Sequence, residues 1–152
     1  MNSNQLWFLA TSVSIRVSCD DGHDGVSILE HLVPHGDSPP LHIHRNEDEI
    51  FHILEGNFRF EINGQSQTAS PGAILLAPKG TPHTYRAESP EGGRFLTTTI
   101  HGDFERFVRA MGQPAPHPGL PESTSPPSPE AIQHLVTSAA QFGIDIVGPP
   151  LI

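Results

Sequence analysis

Gly36-Asp37-Ser38-Pro39-Pro40-Leu41-His42-Ile43-His44-Arg45-Asn46-Glu47-Asp48-Glu49-Ile50-Phe51-His52-Ile53-Leu54-Glu55-Gly56 is the stretch that decides the fold. Glycine opens and closes it, and His42 and His44 stand two residues apart within it. Strand side chains alternate between faces, so these two imidazoles point the same way. A second stretch repeats the design: Gly72, five residues, Pro78-Lys79-Gly80, two residues, then His83. Neutral imidazole and carboxylate suit a borderline divalent metal such as Fe, Mn, Ni, Cu, Co or Zn. The candidate ligands His42, His44, Glu49 and His83 offer three nitrogens and one oxygen. They fill at most four positions of an octahedron, and open positions on a redox-capable ion are where oxygen chemistry can occur.

The two stretches resemble both consensus motifs of the cupin superfamily. The first motif is a glycine, five residues, His-x-His, three or four residues, Glu, six residues and a glycine, and Gly36 to Gly56 satisfies every element. The second is a glycine, five residues, Pro-x-Gly, two residues, His, three residues and Asn. Gly72 to His83 satisfies it up to the last element, where Ala87 replaces an Asn that is not a metal ligand in the family. A spacer of fifteen residues, Asn57 to Pro71, resembles that of single-domain microbial cupins. The resemblance implies a jelly-roll β-barrel holding one divalent transition metal.

Composition agrees with that fold class. A chain of 152 residues suits one domain with a substantial core. Its 14 glycines and 16 prolines, set between short apolar runs, favour an all-β architecture. A formal net charge of −9 disfavours nucleic acid or an anionic membrane as a partner. No apolar run reaches the 18 residues of a membrane span, and Trp7-Phe8-Leu9-Ala10 is too short for a signal peptide. A cytoplasmic location is expected. The single cysteine, Cys19, next to Asp20-Asp21, reads as a small apolar filler rather than a reactive thiol.

Strands are expected where apolar residues alternate: Val13 to Val17, Val26 to Val33, Leu41 to His44, Glu49 to Leu54, Phe58 to Ile62, Ala73 to Ala77, His83 to Ala87 and Arg94 to Ile100. Asn63-Gly64 supplies the left-handed dihedrals of a two-residue hairpin turn. Such a set of short strands and hairpins suggests a jelly roll or small barrel, with the first strand near Ser12. After Ile100 the pattern changes. Phe104, Phe107, Val108 and Met111 recur at helical spacing, predicting a short amphipathic helix from Asp103 to Met111. Gln113 to Pro129, with seven prolines, reads as a stiff extended connector. Ser128-Pro129-Glu130 starts a second helix, which Gly143 closes before an extended tail. The domain organisation is therefore a barrel with its first helix over 1–112, and a connector, helix and tail over 113–152 packing on that same domain.

Phe104-Glu105-Arg106-Phe107, the proline-rich stretch, the helix and the Gly-Ile-x-Ile-x-Gly-Pro-Pro ending are similar to small bacterial cupins of the quercetin-dioxygenase-like kind. That resemblance implies a mononuclear metal-dependent dioxygenase acting on a small organic substrate, phenolic or otherwise, with Glu49 doubling as proton acceptor. The alternative is a cupin that binds metal and ligand without turnover, or an isomerase or lyase.

Glu49 competes with Glu47 and Asp48 for the carboxylate role. It begins an apolar strand and keeps the family gap to Gly56, so Glu47 and Asp48 are assigned to a solvated turn. The remaining histidines, His31 and His52 among them, show no ligand spacing and read as surface or packing residues. Phe51 and Ile53 share the Glu49 face, Phe58 and Phe60 lie on a neighbouring strand, and Tyr85 follows His83 by two. These five are either barrel core or the wall of a substrate pocket beside the metal. The C-terminal segment could cover the barrel mouth, pack on the outer sheet or exchange with a partner subunit. A homodimer is expected, with the Leu6-Trp7-Phe8-Leu9 run as a candidate for strand exchange.

Overall fold

Alternation of side chains builds the protein. Along the strand Glu49–Glu55 the side chains of Glu49, Phe51 and Ile53 are buried and Ile50 faces solvent, the period of two that a sheet with one covered face imposes. The computed structural model describes residues 4–122 and 125–152; residues 123–124 of the predicted connector lie outside the described residues. Within them the chain order is β1 (Gln5–Phe8), β2 (Thr11–Val17), β3 (Val26–Val33), β4 (Leu41–His44), β5 (Glu49–Glu55), β6 (Phe58–Ile62), β7 (Gln65–Ala69), β8 (Ile74–Ala77), β9 (His83–Ala87) and β10 (Gly93–Ile100). Helix α1 (Asp103–Met111), the short β11 (Gln113–Pro114), helix α2 (Pro129–Gln141) and β12 (Ile144–Gly148) follow.

Among the described residues twelve strands form two antiparallel sheets, ordered β11-β1-β2-β3-β10-β5-β8 and β12-β4-β9-β6-β7. The fold is all-β with two short C-terminal helices, in the jelly-roll arrangement expected of the sequence. The sheets meet through aromatic rings. Phe51 and Phe95 of the larger sheet touch Phe58, Phe60 and Tyr85 of the smaller, with centroid separations of 4.9 Å for Phe51–Phe60, 5.3 Å for Phe58–Phe95 and 5.0 Å for Tyr85–Phe95. Edge-to-face packing at these distances favours the ring quadrupoles. A second apolar cluster, including Leu6, Phe8, Leu29, Phe107, Val108, Ala139 and Ile144, seats α1 against β1 of the larger sheet and α2 against β12 of the smaller.

Two local features place the strands. Asn63 and Gly64 adopt φ of 52° and 76°, closing β6 onto β7 so that Ile62 faces Gln65. Gly56 adopts φ of 77°, and a Cβ there would lie 2.4 Å from the Gly92 carbonyl oxygen, so only glycine allows β5 to turn against the start of β10.

Several expectations need correction. The first strand begins at Gln5, not near Ser12, and the Leu6-Trp7-Phe8 run pairs with its own chain, Leu6 with Val13 and Trp7 with Gln113. Leu6 and Phe8 are already buried there, and the Phe8 ring meets Phe107 edge-on at 5.4 Å. Strand β7, sequence QSQTA, had no alternation to betray it, because four of its five residues are exposed. The extended tail is strand β12, which pairs with β4 and sets Ile144 opposite His44 and Ile146 opposite His42. Among the described residues no helix is long and apolar enough to cross a membrane.

Candidate metal centre

His42 and His44 arrive on β4, His83 opens β9, and Glu49 opens β5 in the other sheet. β4 and β9 place His42 directly opposite His83. One ligand atom from each of the four residues lies within 4.8 Å of all the others. Glu49 Oε2 is 2.9 Å from His83 Nε2 and 3.1 Å from His44 Nε2. His44, Glu49 and His83 are all buried.

Hydrogen bonding on the far edges of the rings decides which nitrogen can act as a ligand. His42 Nδ1 lies 2.7 Å from the Pro40 carbonyl oxygen and His83 Nδ1 lies 2.9 Å from that of Thr81. A carbonyl only accepts, so each Nδ1 carries the proton, and in the neutral ring Nε2 turns a lone pair toward the centre. Backbone acceptors of this kind are what orient metal-ligating imidazoles.

The donor set fits a cation. Lone pairs on Nε2 of His42 and His83 converge with an anionic carboxylate, an arrangement that repels itself unless positive charge sits among them. His44 Nε2, although 3.1 Å from Glu49 Oε2, has no aligned hydrogen bond. Burial, with the charges of His83 and His44 adding, pushes the His42 imidazole down to about 3, which keeps it neutral and able to donate a lone pair. For His44 burial acts downward, but the Glu49 carboxylate outweighs it and raises the ring above its ordinary value. Burial alone would raise Glu49; the adjoining His44 imidazole, with His83 beside it, outweighs burial and holds the carboxyl well below the usual carboxylate range. The cluster could therefore hold one divalent transition metal through His42, His44, Glu49 and His83.

A cavity of about 780 Å³ opens beside these residues, within the range of small-molecule sites. His42, His44 and Glu49 lie in its wall with Phe51, Phe95 and Phe104, and α2 contributes Ile132, Leu135 and Val136. Of the five predicted pocket residues, Phe51 and Tyr85 line the cavity. Ile53, Phe58 and Phe60 do not; each is 0% exposed, one layer deeper in the inter-sheet core. Residues of the second helix and the tail line this cavity.

One assignment needs correction. Glu47 is not solvated: it is 2% exposed, and Oε1 accepts the Phe104 backbone N–H at 2.8 Å. Helix α1 starts from Gly102, which offers no side-chain cap, so its first-turn donors take a carboxylate from elsewhere. Asp48 does stay exposed, accepting the Lys79 N–H at 2.8 Å. His31 packs as expected, stacked on Phe95 at 4.8 Å and bonded to Thr97 Oγ1 at 3.1 Å, but it also lines the cavity.

Burial pushes His31 down to about 4, with Glu49 and Glu30 opposing only in part. The unfolded chain then binds the extra proton between pH 6.5 and about 4, so stability is full above that window and is lost as pH falls through it. At about 1.4 kcal/mol per pH unit the loss is roughly 3 kcal/mol. Urea midpoints at pH 7 and pH 4.5 should fall further for the native chain than for His31→Gln; equal falls would refute the assignment.

A jelly roll with a His-x-His strand, a carboxylate on the facing sheet and a third histidine across it defines a cupin. Residues 28–99 match the Cupin domain family, and the chain is a cupin-superfamily protein. It is 30% identical over 90 residues to a quercetin 2,3-dioxygenase of Bacillus subtilis (strain 168), covering 59% of this chain but only 26% of that enzyme. A predicted oxalate decarboxylase from Thermotoga maritima superposes with TM-score 0.57 at 25% identity, covering 59% of this chain and 79% of that one. An RmlC-like cupin from Shewanella frigidimarina gives TM-score 0.57 at 17% identity over 66% of this chain and 88% of that one, a likeness of fold alone.

Proposed function

We propose that the chain is a metal-dependent dioxygenase-type oxidoreductase acting on a small, phenolic organic molecule. The observation that carries this reading is the position of the His42–His44–Glu49–His83 cluster at an aromatic-walled cavity large enough for such a molecule. The likeness to a protein named quercetin 2,3-dioxygenase supports it, over a quarter of that protein's length.

When bound, a divalent Fe, Mn, Ni, Cu or Co ion supplies Lewis acidity and a redox couple, of which Zn supplies only the first. The chain's residues divide the remaining work. Phe51, Phe95 and Phe104 offer ring faces and edges to a planar substrate. Glu49, held ionised, is the carboxylate in the cavity wall that can accept the proton of an entering phenolic hydroxyl. Asp37, Ser38 and Tyr85 give the same cavity polar positions for further hydroxyl groups. Ile132, Leu135 and Val136 of α2 exclude water from it.

The test is an oxygen electrode with metal-loaded protein and a panel of flavonols and catechols. Uptake that requires both metal and substrate is expected. Ligand-dependent thermal stabilisation with no uptake across the panel would favour a binding cupin and overturn the enzyme reading.

The proposal includes a homodimer. Ile50 faces Leu76 across β5 and β8, with Ile74 alongside, and all three are exposed at 39%, 51% and 68%. An apolar stripe on the open edge of a sheet is a site for a second copy. Light scattering should give a dimer at micromolar concentration that Leu76→Lys dissociates; a monomeric native protein would remove this part.

A further inference from the structure

Among the described residues the buried side-chain nitrogen and oxygen atoms without a hydrogen-bond partner are His44 Nδ1, His44 Nε2 and Glu47 Oε2. All three fall in one place. His44 Nε2 belongs to the metal centre, 3.1 Å from Glu49 Oε2. The other two are a nitrogen that donates when protonated and an oxygen that accepts, on residues each 2% exposed. Buried polar atoms are rarely left unpaired, so these two call for a common explanation.

The metal centre supplies it. His42 and His83 each donate Nδ1–H to a backbone carbonyl, of Pro40 and Thr81, whereas no carbonyl stands opposite His44 Nδ1. With Nε2 turned to Glu49, His44 Nδ1 lies on the ring edge away from the centre. Glu47 follows His44 by three residues in the turn leaving β4, and its Oε1 is fixed on the Phe104 N–H at 2.8 Å. The Phe104 ring in turn packs edge-on against His44 at 5.5 Å. The Thr99 hydroxyl also approaches this carboxylate as a donor, and the Asp103 carboxylate acts on it as a like charge.

We propose that one water bridges the Nδ1–H of His44 to Glu47 Oε2, making Glu47 a positioning residue that aims His44 at the metal and couples it to the first turn of α1. A bridging water serves the same chemistry as direct contact. The proposal rests on the metal reading of the site, and it assigns a role to a residue that sits between two ligands without being one. Carboxylate partners of ligating histidines fix the tautomer and raise ligand basicity, and their loss typically weakens metal binding by about 10–100-fold.

The test uses Glu47→Gln, which keeps the shape of the side chain. Glutamine has one acceptor oxygen, so it can satisfy the Phe104 N–H or the His44 Nδ1–H but not both. Zinc affinity, measured by chelator competition, should fall at least about 10-fold. In protein carrying 15N-labelled histidine and loaded with Zn(II), the His44 Nδ1–H signal should shift or broaden while those of His42 and His83 stay in place. Glu47→Ala, if it folds, should do the same more strongly. Native affinity together with an unmoved His44 signal in Glu47→Gln would overturn the proposal. A native protein that takes up no zinc would instead defeat the metal reading; the His44 signal of metal-free protein, compared between native and Glu47→Gln, would still decide whether Glu47 holds this ring.

Discussion

Replacing any one of His42, His44, Glu49 or His83 by alanine is expected to weaken metal binding by about two orders of magnitude. Apparent binding free energies for four-ligand zinc sites run at roughly 10–16 kcal/mol, so one ligand accounts for roughly 3 kcal/mol. The structure makes these four residues unequal in a further way. Glu49 is the one anion among the donors and lies 2.9 Å and 3.1 Å from two imidazole nitrogens. Its removal leaves three neutral donors without charge compensation, so Glu49→Ala should be the most damaging of the four. Glu47→Ala should fall short of all of them, and Asp48→Ala, whose side chain reaches the Lys79 N–H on the surface, should bind metal as the native chain does. Isothermal titration of chelator-stripped protein measures this directly. If Asp48→Ala lost the metal while Glu49→Ala retained it, the ligand assignment would be wrong.

Metal loading is also expected to raise the melting temperature by about 8–16 °C. At free metal a thousandfold above Kd the gain is about 4 kcal/mol, and a chain of this length gains about 2–4 °C per kcal/mol. The fold explains why the ion would act on the whole domain. β4 meets β9 at a single residue pair, His42 with His83, so the smaller sheet is weakly laced where the ligands sit. Glu49 belongs to the facing sheet, and an ion shared by all four residues would tie the two sheets together. Scanning calorimetry on stripped and reloaded protein should show the increase, and the quadruple removal of ligands should abolish it. An identical melting temperature with and without bound metal would contradict this.

The four converging residues were legible because each depends on local rules. The i, i+2 spacing of His42 and His44 places both on one strand face, and the Gly-Pro frame around His83 aims its loop. α1 was equally plain from its apolar spacing. What escaped depended on partners far along the chain. Glu47 reads as a turn carboxylate until Phe104, 57 residues later, presents an N–H to it. Ile144 to Gly148 reads as a tail until it finds β4, about a hundred residues earlier. Phe58 and Phe60 share the inward direction of a pocket wall, and only depth, which alternation does not encode, puts them behind Phe51 and Tyr85.

X-ray absorption of protein loaded with one equivalent of Co(II) bears most directly on whether these side chains act together on one ion. A nitrogen and oxygen shell containing three imidazoles and no sulfur is the predicted spectrum, with distances near the roughly 2.0–2.2 Å of comparable nitrogen and oxygen ligands. A spectrum with one imidazole or none, or with a sulfur scatterer from Cys19, would contradict the account.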